Sequence, residues 1–446
     1  MSVTARLLGP AESEPISAKP AAARLAAGAA ILVAALPVAM ALANRSAPVL
    51  LLLACVTCIA SLIAEGGWGR IGSALAKVSL SPLAWASAGF VALALISWSW
   101  SVDRTETWRT LEEGVLPLGA GALLLCFLPR LAPRWTVLAV AIGVIAAALV
   151  PIAELRSGMP IRKALHLRVA AFEYNRPVLT LLALFWPLCE VALTRRKTSS
   201  PGPMDDDPPR LESLAQRQIT SGTRLARLVL WAALILTTLA IWTSQSGTAM
   251  FAQALSIVAA FAASRFPRLS LAVTGIAVTL VFLSVYAFGD LAWRFLPPAT
   301  YDLLAWAHAA DRVEIWRSFG AAALFHPILG TGLGTSVTLG DTVVATEVAG
   351  EFRRMLSVGH PHNGYLQIGV ELGAIGCTLA LVIVGMMLWS WRNLSGPALW
   401  SRIGLFTTVA STMLVGHGAW QAWWLSVVFV GAALIRVVSQ VDPHPG

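Results

Sequence analysis

Charge is scarce in this sequence: of 446 residues only 12% are Asp, Glu, Lys or Arg, against 57% that are hydrophobic. That balance argues against several soluble domains. Cysteine is equally sparse, and all five (Cys55, Cys58, Cys126, Cys189, Cys377) fall inside apolar stretches, so neither a disulfide framework nor a metal framework is implied. The Cys55-x-x-Cys58 pair has no histidine or second cysteine pair nearby and reads as packing. The formal charge of +9 lacks the aromatic interleaving of a nucleic-acid surface. Strict apolar-polar alternation is missing too, which argues against a transmembrane β-barrel.

What the sequence has in abundance is apolar runs of roughly 17 to 25 residues separated by short polar breaks, the length needed to cross a ~30 Å hydrocarbon layer. Backbone groups unpaired in lipid are so costly that such runs must be helices. The expected fold is all-α, a polytopic transmembrane bundle of about twelve spans, centred near Val33, Cys55, Phe90, Ala122, Ile145, Ala183, Ala233, Leu255, Val278, Thr378, Thr407 and Val428. With the N-terminus in the cytoplasm, Arg70, Lys77, Arg130, Arg134, Arg195, Arg196, Lys197, Arg265, Arg268, Arg392, Arg402 and Arg436 lie inside, as the positive-inside rule requires. The expected organisation is an inner tail (1–24), spans one to nine (25–288) with an inner linker (194–224), an outer loop (289–363), spans ten to twelve (364–437) and an inner tail (438–446). Ala41-Leu42-Ala43 resembles a signal cleavage site, but the first span is expected to be retained. Asp205-Asp206-Asp207 in the proline-flanked linker reads as a solvated charge run.

Several basic residues oppose the topological bias: Arg156, Arg162, Lys163, Arg168, Arg176, Arg312, Arg317, Arg353 and Arg354 fall outside. Anion binding is one reason for such placement. Asp311-Arg312-Val313-Glu314 reads as a helix N-cap and capping box, with the helix running to about Phe325 before His326-Pro327. Arg312 in the first turn then either pairs locally with a carboxylate or presents a bidentate fork to phosphate. Gly330, Gly332 and Gly334 read as a flexible turn.

Polar and glycine content concentrates in His360-Pro361-His362-Asn363-Gly364-Tyr365-Leu366-Gln367 and the following Glu371-Leu372-Gly373-Ala374-Ile375-Gly376. A helix starting near His362 places Asn363, Gln367 and Glu371 on one stripe. Gly369, Gly373, Gly376 and Ala380 then form a small-residue ridge for helix packing. Glu371, expensive in a bilayer, is expected to tie helices together. His362 is the candidate general base, because imidazole titrates near neutrality and can take a proton from a hydroxyl.

These motifs resemble the O-antigen ligase and polymerase family of bacterial membrane glycosyltransferases. The family pattern of His, a polar residue, nine residues, Gly, two residues and Gly is met by His362, Asn363, Gly373 and Gly376. Arg312 to Trp316, the His326-Pro327-Ile328-Leu329-Gly330-Thr331-Gly332 turn, Ser97 to Asp103 and Asn175-Arg176-Pro177 are also similar to family segments. One departure is Ser244-Gln245-Ser246-Gly247, where many members carry Ser-Arg-Gly. Arg176 is the substitute candidate for that arginine, with Arg168 and Arg317 behind it.

The resemblance implies a GT-C-like, cofactor-free and metal-independent inverting glycosyltransferase of the bacterial inner membrane, acting at its periplasmic side. The implied donor is an undecaprenyl-diphosphate-linked glycan. The acceptor is lipid A-core for an O-antigen ligase, the favoured reading, or another lipid-linked glycan for a polymerase. His362 is the implied catalytic residue, and Arg312, Arg176, Arg317, His360, Asn363, Gln245 and Gln367 are the implied substrate-binding residues. Membrane lipids are expected partners and nucleic acid is not. A lipid-glycan flippase or transporter is the alternative from another class, although no clear internal repeat is visible and the charge lies at the outer rim.

Overall fold

The computed structural model describes residues 19–79, 81–194, 212–305 and 308–441. The Arg195-Arg196-Lys197 and Asp205-Asp206-Asp207 runs lie outside the described residues. Among those described, regular structure is helical throughout.

Eleven helices are long and apolar enough to cross a membrane, and a bent pair makes a twelfth candidate. In chain order they are α1 (Pro20–Leu42) and α2 (Ala47–Ala64); a short α3 (Trp68–Ser79); α4 (Pro82–Ile96), α5 (Arg104–Leu131) and α6 (Thr136–Ser157); a short α7 (Pro160–Ala164); then α8 (Asn175–Leu193), α9 (Glu212–Thr243) and α10 (Gly247–Arg265). The bent pair is α11 (Pro267–Leu283) and α12 (Phe288–Phe295), which meet at 101°. Four helices of the long loop follow: α13 (Pro298–Leu303), α14 (Ala309–Ala323), α15 (Val343–Glu347) and α16 (Gly350–Leu356). The last three spans are α17 (Gly364–Ser390), α18 (Gly396–Val415) and α19 (Ala422–Val441).

α8 is the axis of the bundle. Its Pro177–Leu188 stretch is apolar on every side apart from Thr180, and each of those residues is buried against neighbouring helices, as expected of a helix surrounded by others. Trp186 explains one close crossing: its ring occupies the space where a side chain on Gly404 of α18 would stand, and its indole N–H donates to Thr408 at 3.0 Å. Cys55 and Cys58 are buried in this same apolar core, where they pack.

α17 departs from the sequence expectation. Gly373 is no part of a packing ridge: its backbone turns to φ 63°, ψ −163° and interrupts the helix. The Pro327–Gly332 turn segment inserts there and replaces the lost helical bonds. Thr331 N–H donates to Val370, Gly332 N–H to Glu371, Ala374 N–H to Pro327 and Ile375 N–H to Ile328, at 2.8–3.3 Å. Open backbone at this depth is tolerated because the protein covers it and pairs its groups. The Gly330, Gly332 and Gly334 turn is correspondingly fixed, each residue at positive φ and pressed against Glu371, Ser101 or Thr110.

The turns after odd-numbered spans gather at one end. Asn44 donates to Glu173 at 2.6 Å, Leu333 N–H to Ser97 at 3.1 Å, and Ala419 N–H to Gln367 at 2.8 Å. His362 lies at this end.

Candidate functional site

Two local devices hold His362. Asn363, in extended conformation, caps α17 by accepting the N–H groups of Tyr365 and Leu366 at 3.0 and 3.1 Å. His362, immediately before it, sits at φ 50°, a left-handed conformation uncommon outside glycine. This kink places the imidazole Nδ1 3.4 Å from the carbonyl oxygen of Gly416, in the turn between α18 and α19. A carbonyl only accepts, so this contact favours the tautomer with the proton on Nδ1 and a lone pair on Nε2.

The His360 ring lies edge-on to that of His362, with centroids 4.0 Å apart. Burial, the neighbouring His360 and then Arg312 pull the His362 pKa down to about 4, against the smaller opposing effect of the Gly416 carbonyl. The His360 pKa is lowered first by burial and then by Arg312. Arg312, about fifty residues earlier in the chain, is therefore electrostatically within reach of both rings. It does not follow an Asp311 cap as the sequence suggests. α14 begins at Ala309 after His308 in left-handed conformation, and Asp311 sits in the first turn, 3.3 Å from His308.

His417 completes the cluster. Burial, Arg176, His360, His362 and Arg312, in that order, push its pKa down to about 3. Its ring stands edge-on to Trp423 at 5.2 Å, and the Arg176 guanidinium lies 5.4 Å from the centre of the same Trp423 ring. Arg176, from the start of α8, thus acts with Arg312 on His417, and Arg312 also acts on His360 and His362. The sequence reading missed His417. Its signal was available as Gly416-His417-Gly418 followed by Trp420, Trp423 and Trp424, between the last two spans.

The remaining candidates divide by what their side chains already do. Gln367 accepts from Ala419 N–H and donates to Glu371 at 2.8 Å, which fixes the α18–α19 turn against α17. Glu371, fully buried, accepts from Gly334 N–H at 2.6 Å, Trp420 Nε1 at 2.5 Å, Gln367 and, at 3.4 Å, Ser336 N–H. It joins the glycine turn to the tenth span, a tying role. Arg317 is held by Asp290 at 2.8 Å between the rings of Trp293 and Phe352, within the loop. Gln245 is exposed at the α9–α10 turn, while nearby Thr248 packs against Gly416. Arg162 and Arg168 face Glu173 at 3.7 and 3.9 Å, so both have a local ionic partner.

Residues 231–381 match the family model of the O-antigen ligases. Similar proteins include ones assigned the name polysaccharide ligase in Rickettsia conorii (34% identical over 137 residues, 30% of this chain and 33% of that protein) and Rickettsia prowazekii (31% over 122 residues, 26% and 29%). A Rickettsia felis protein of the same name is 29% identical over 138 residues, 30% of this chain and 33% of its own. The alignments span about a third of these relatives' length. The matched segment, residues 231–381, contains Arg312, the inserted glycine turn, His362 and the break in the tenth span, and over it the chain is similar to the O-antigen ligases.

Proposed function

We propose that the protein transfers a glycan from a polyprenyl diphosphate, of the undecaprenyl type, to an acceptor hydroxyl on the periplasmic side of the bacterial inner membrane. The supporting observation is a cluster in which Arg312 reaches His362, whose Nδ1 is turned to a carbonyl, while Arg176 and Arg312 both act on the neighbouring His417. In this reading Nε2 of His362 takes the proton of the acceptor hydroxyl. The acceptor oxygen forms a bond to the anomeric carbon, and the bond from that carbon to the diphosphate oxygen breaks with its electron pair leaving on the diphosphate. Attack from the opposite face inverts the anomeric centre. Arg312 and Arg176 receive the charge that develops on the leaving group, the role that preorganised cations fill in phosphate departure.

The lowered pKa of His362 keeps the imidazole neutral at pH 7 with its lone pair available, at the cost of making it a weaker base than an ordinary imidazole. Gln367, Asn363 and Glu371 act by positioning the turn that carries Gly416. His360 lies beside the base and contributes to its environment or to acceptor binding. The match of residues 231–381 to the O-antigen ligase model favours lipid A-core as acceptor over a second lipid-linked repeat.

The test is reconstitution in liposomes with a polyprenyl-diphosphate glycan and either acceptor. Product attached to lipid A-core, lost in His362→Ala by a factor of ~10² to 10⁴, is expected. Undiminished product in that variant would overturn His362 as the base, and movement of the donor across the bilayer without product would replace transfer by transport.

A further inference from the structure

At the end of the bundle opposite the histidines, the α10–α11 and α17–α18 turns enclose a crevice of about 600 Å³. Arg268, Arg392, Asn393 and Ser395 supply its polar lining, and none of the lining residues is acidic. The Arg392 guanidinium is anchored by a 2.9 Å bond to the Trp389 carbonyl and lies 4.5 Å from the centre of the Trp389 ring. Neither Arg268 nor Arg392 forms an ion pair among the described residues. The contrast with Arg402 at the same end is instructive, because Arg402 faces the buried carboxylate of Glu190 at 3.7 Å.

Two further features point the same way. α11 starts at Pro267 and α18 at Gly396, and neither start is capped by a side chain, so free N–H groups of both helix starts lie beside the arginines. The rim is apolar and exposed: Phe266, Leu269 and Trp389 stand outward. Phe266 and Leu269 adjoin the outward Val273, Ile276 and Leu280 of α11, a continuous strip suited to acyl chains.

We infer that this crevice binds the phosphate of an anionic phospholipid in the leaflet opposite the catalytic end. Two guanidiniums match phosphate oxygens by charge-assisted forks, Asn393 and Ser395 add neutral donors, and the apolar rim takes the lipid chains. A free phosphate has the same headgroup chemistry and gains nothing from the rim. The site is separate from the one that holds the proposed glycan donor, and it does not depend on the reaction assigned there.

The experiment uses the full chain, purified in a neutral detergent, with wild type, R268Q/R392Q and a control R130Q/R134Q. The control removes the same charge from another exposed turn at the same end. Each is titrated with phosphatidylglycerol, phosphatidylcholine or inorganic phosphate while bound lipid is counted by native mass spectrometry and thermal stability is followed. Wild type and control should retain phosphatidylglycerol over phosphatidylcholine, and R268Q/R392Q should bind it roughly thirtyfold more weakly. Equal retention by R268Q/R392Q overturns the site, as does an equal loss in the control. Stabilisation by inorganic phosphate alone, with no lipid retained, overturns the lipid assignment.

Discussion

The Arg176 guanidinium rests 5.4 Å from the centre of the Trp423 ring, which joins the start of the sixth span to the start of the twelfth. The indole face fixes the arginine without neutralising it, because a cation on a ring keeps its full charge for an arriving anion. His417 stands edge-on to the same ring, so one tryptophan sets the geometry of two site residues.

Arg176→Gln should therefore lower kcat/KM for the lipid-diphosphate donor by about 10² and leave the folded protein intact by size-exclusion chromatography. Trp423→Leu should produce a smaller loss of the same kind. Wild-type turnover in Arg176→Gln would remove this residue from the clamp.

Arg312→Ala should cost about 10² to 10³ in kcat. Arg312→Lys keeps the charge and loses the planar fork, so it should fall between that variant and wild type. Measured kcat values for the three proteins decide this, and full activity in Arg312→Lys would mean that bidentate recognition is unnecessary.

The three imidazoles give stability a defined pH dependence. His360, His362 and His417 all have folded-state pKa values below the ordinary 6.5, the latter two at about 4 and 3. Below pH 6.5 the unfolded chain binds more protons at these positions than the folded one, so stability rises with pH through this window and levels off above it. Melting temperature should fall as pH drops from about 6.5 toward 4, and His417→Gln should flatten that slope. A melting temperature independent of pH in this range would contradict the burial of these rings.

The break in α17 predicts an asymmetry between two glycines of one helix. A Cβ on Gly373 would stand 2.2 Å from the Ile328 carbonyl oxygen and 2.7 Å from Gly330 N, at a φ that side chains resist, whereas nothing lies within 4 Å of one on Gly385. Gly373→Ala should give poorly folded protein, and Gly385→Ala should match wild type or gain up to about 1 kcal/mol. Glu371→Ala strands the Gly334, Trp420 and Gln367 donors, each at on the order of 1–3 kcal/mol, and should lower the melting temperature sharply. Thermal denaturation in detergent compares all three.

Much of the architecture was legible because membrane spans obey a local rule. Apolar runs of spanning length separated by short polar turns are enough to specify helices and their alternation, since lipid leaves the backbone no other way to pair its groups. The His362-Asn363 motif was equally legible, as was the arginine helix about fifty residues upstream, because both are contiguous in sequence.

Convergence was decided elsewhere. Nothing local indicates that Gly416 offers its carbonyl to His362, that Trp423 positions Arg176, or that Arg317 is taken by Asp290 while Arg312 reaches the imidazoles. Periodicity read Gly373 as a packing residue because a regular helix was assumed, and only the inserted Pro327–Gly332 segment explains why the chain opens there. The sequence by itself determined the spans, their alternation and the chemical types at one end. Tertiary structure alone decided which of those groups meet, because contacts between residues far apart depend on how helices pack and which partners their charges find.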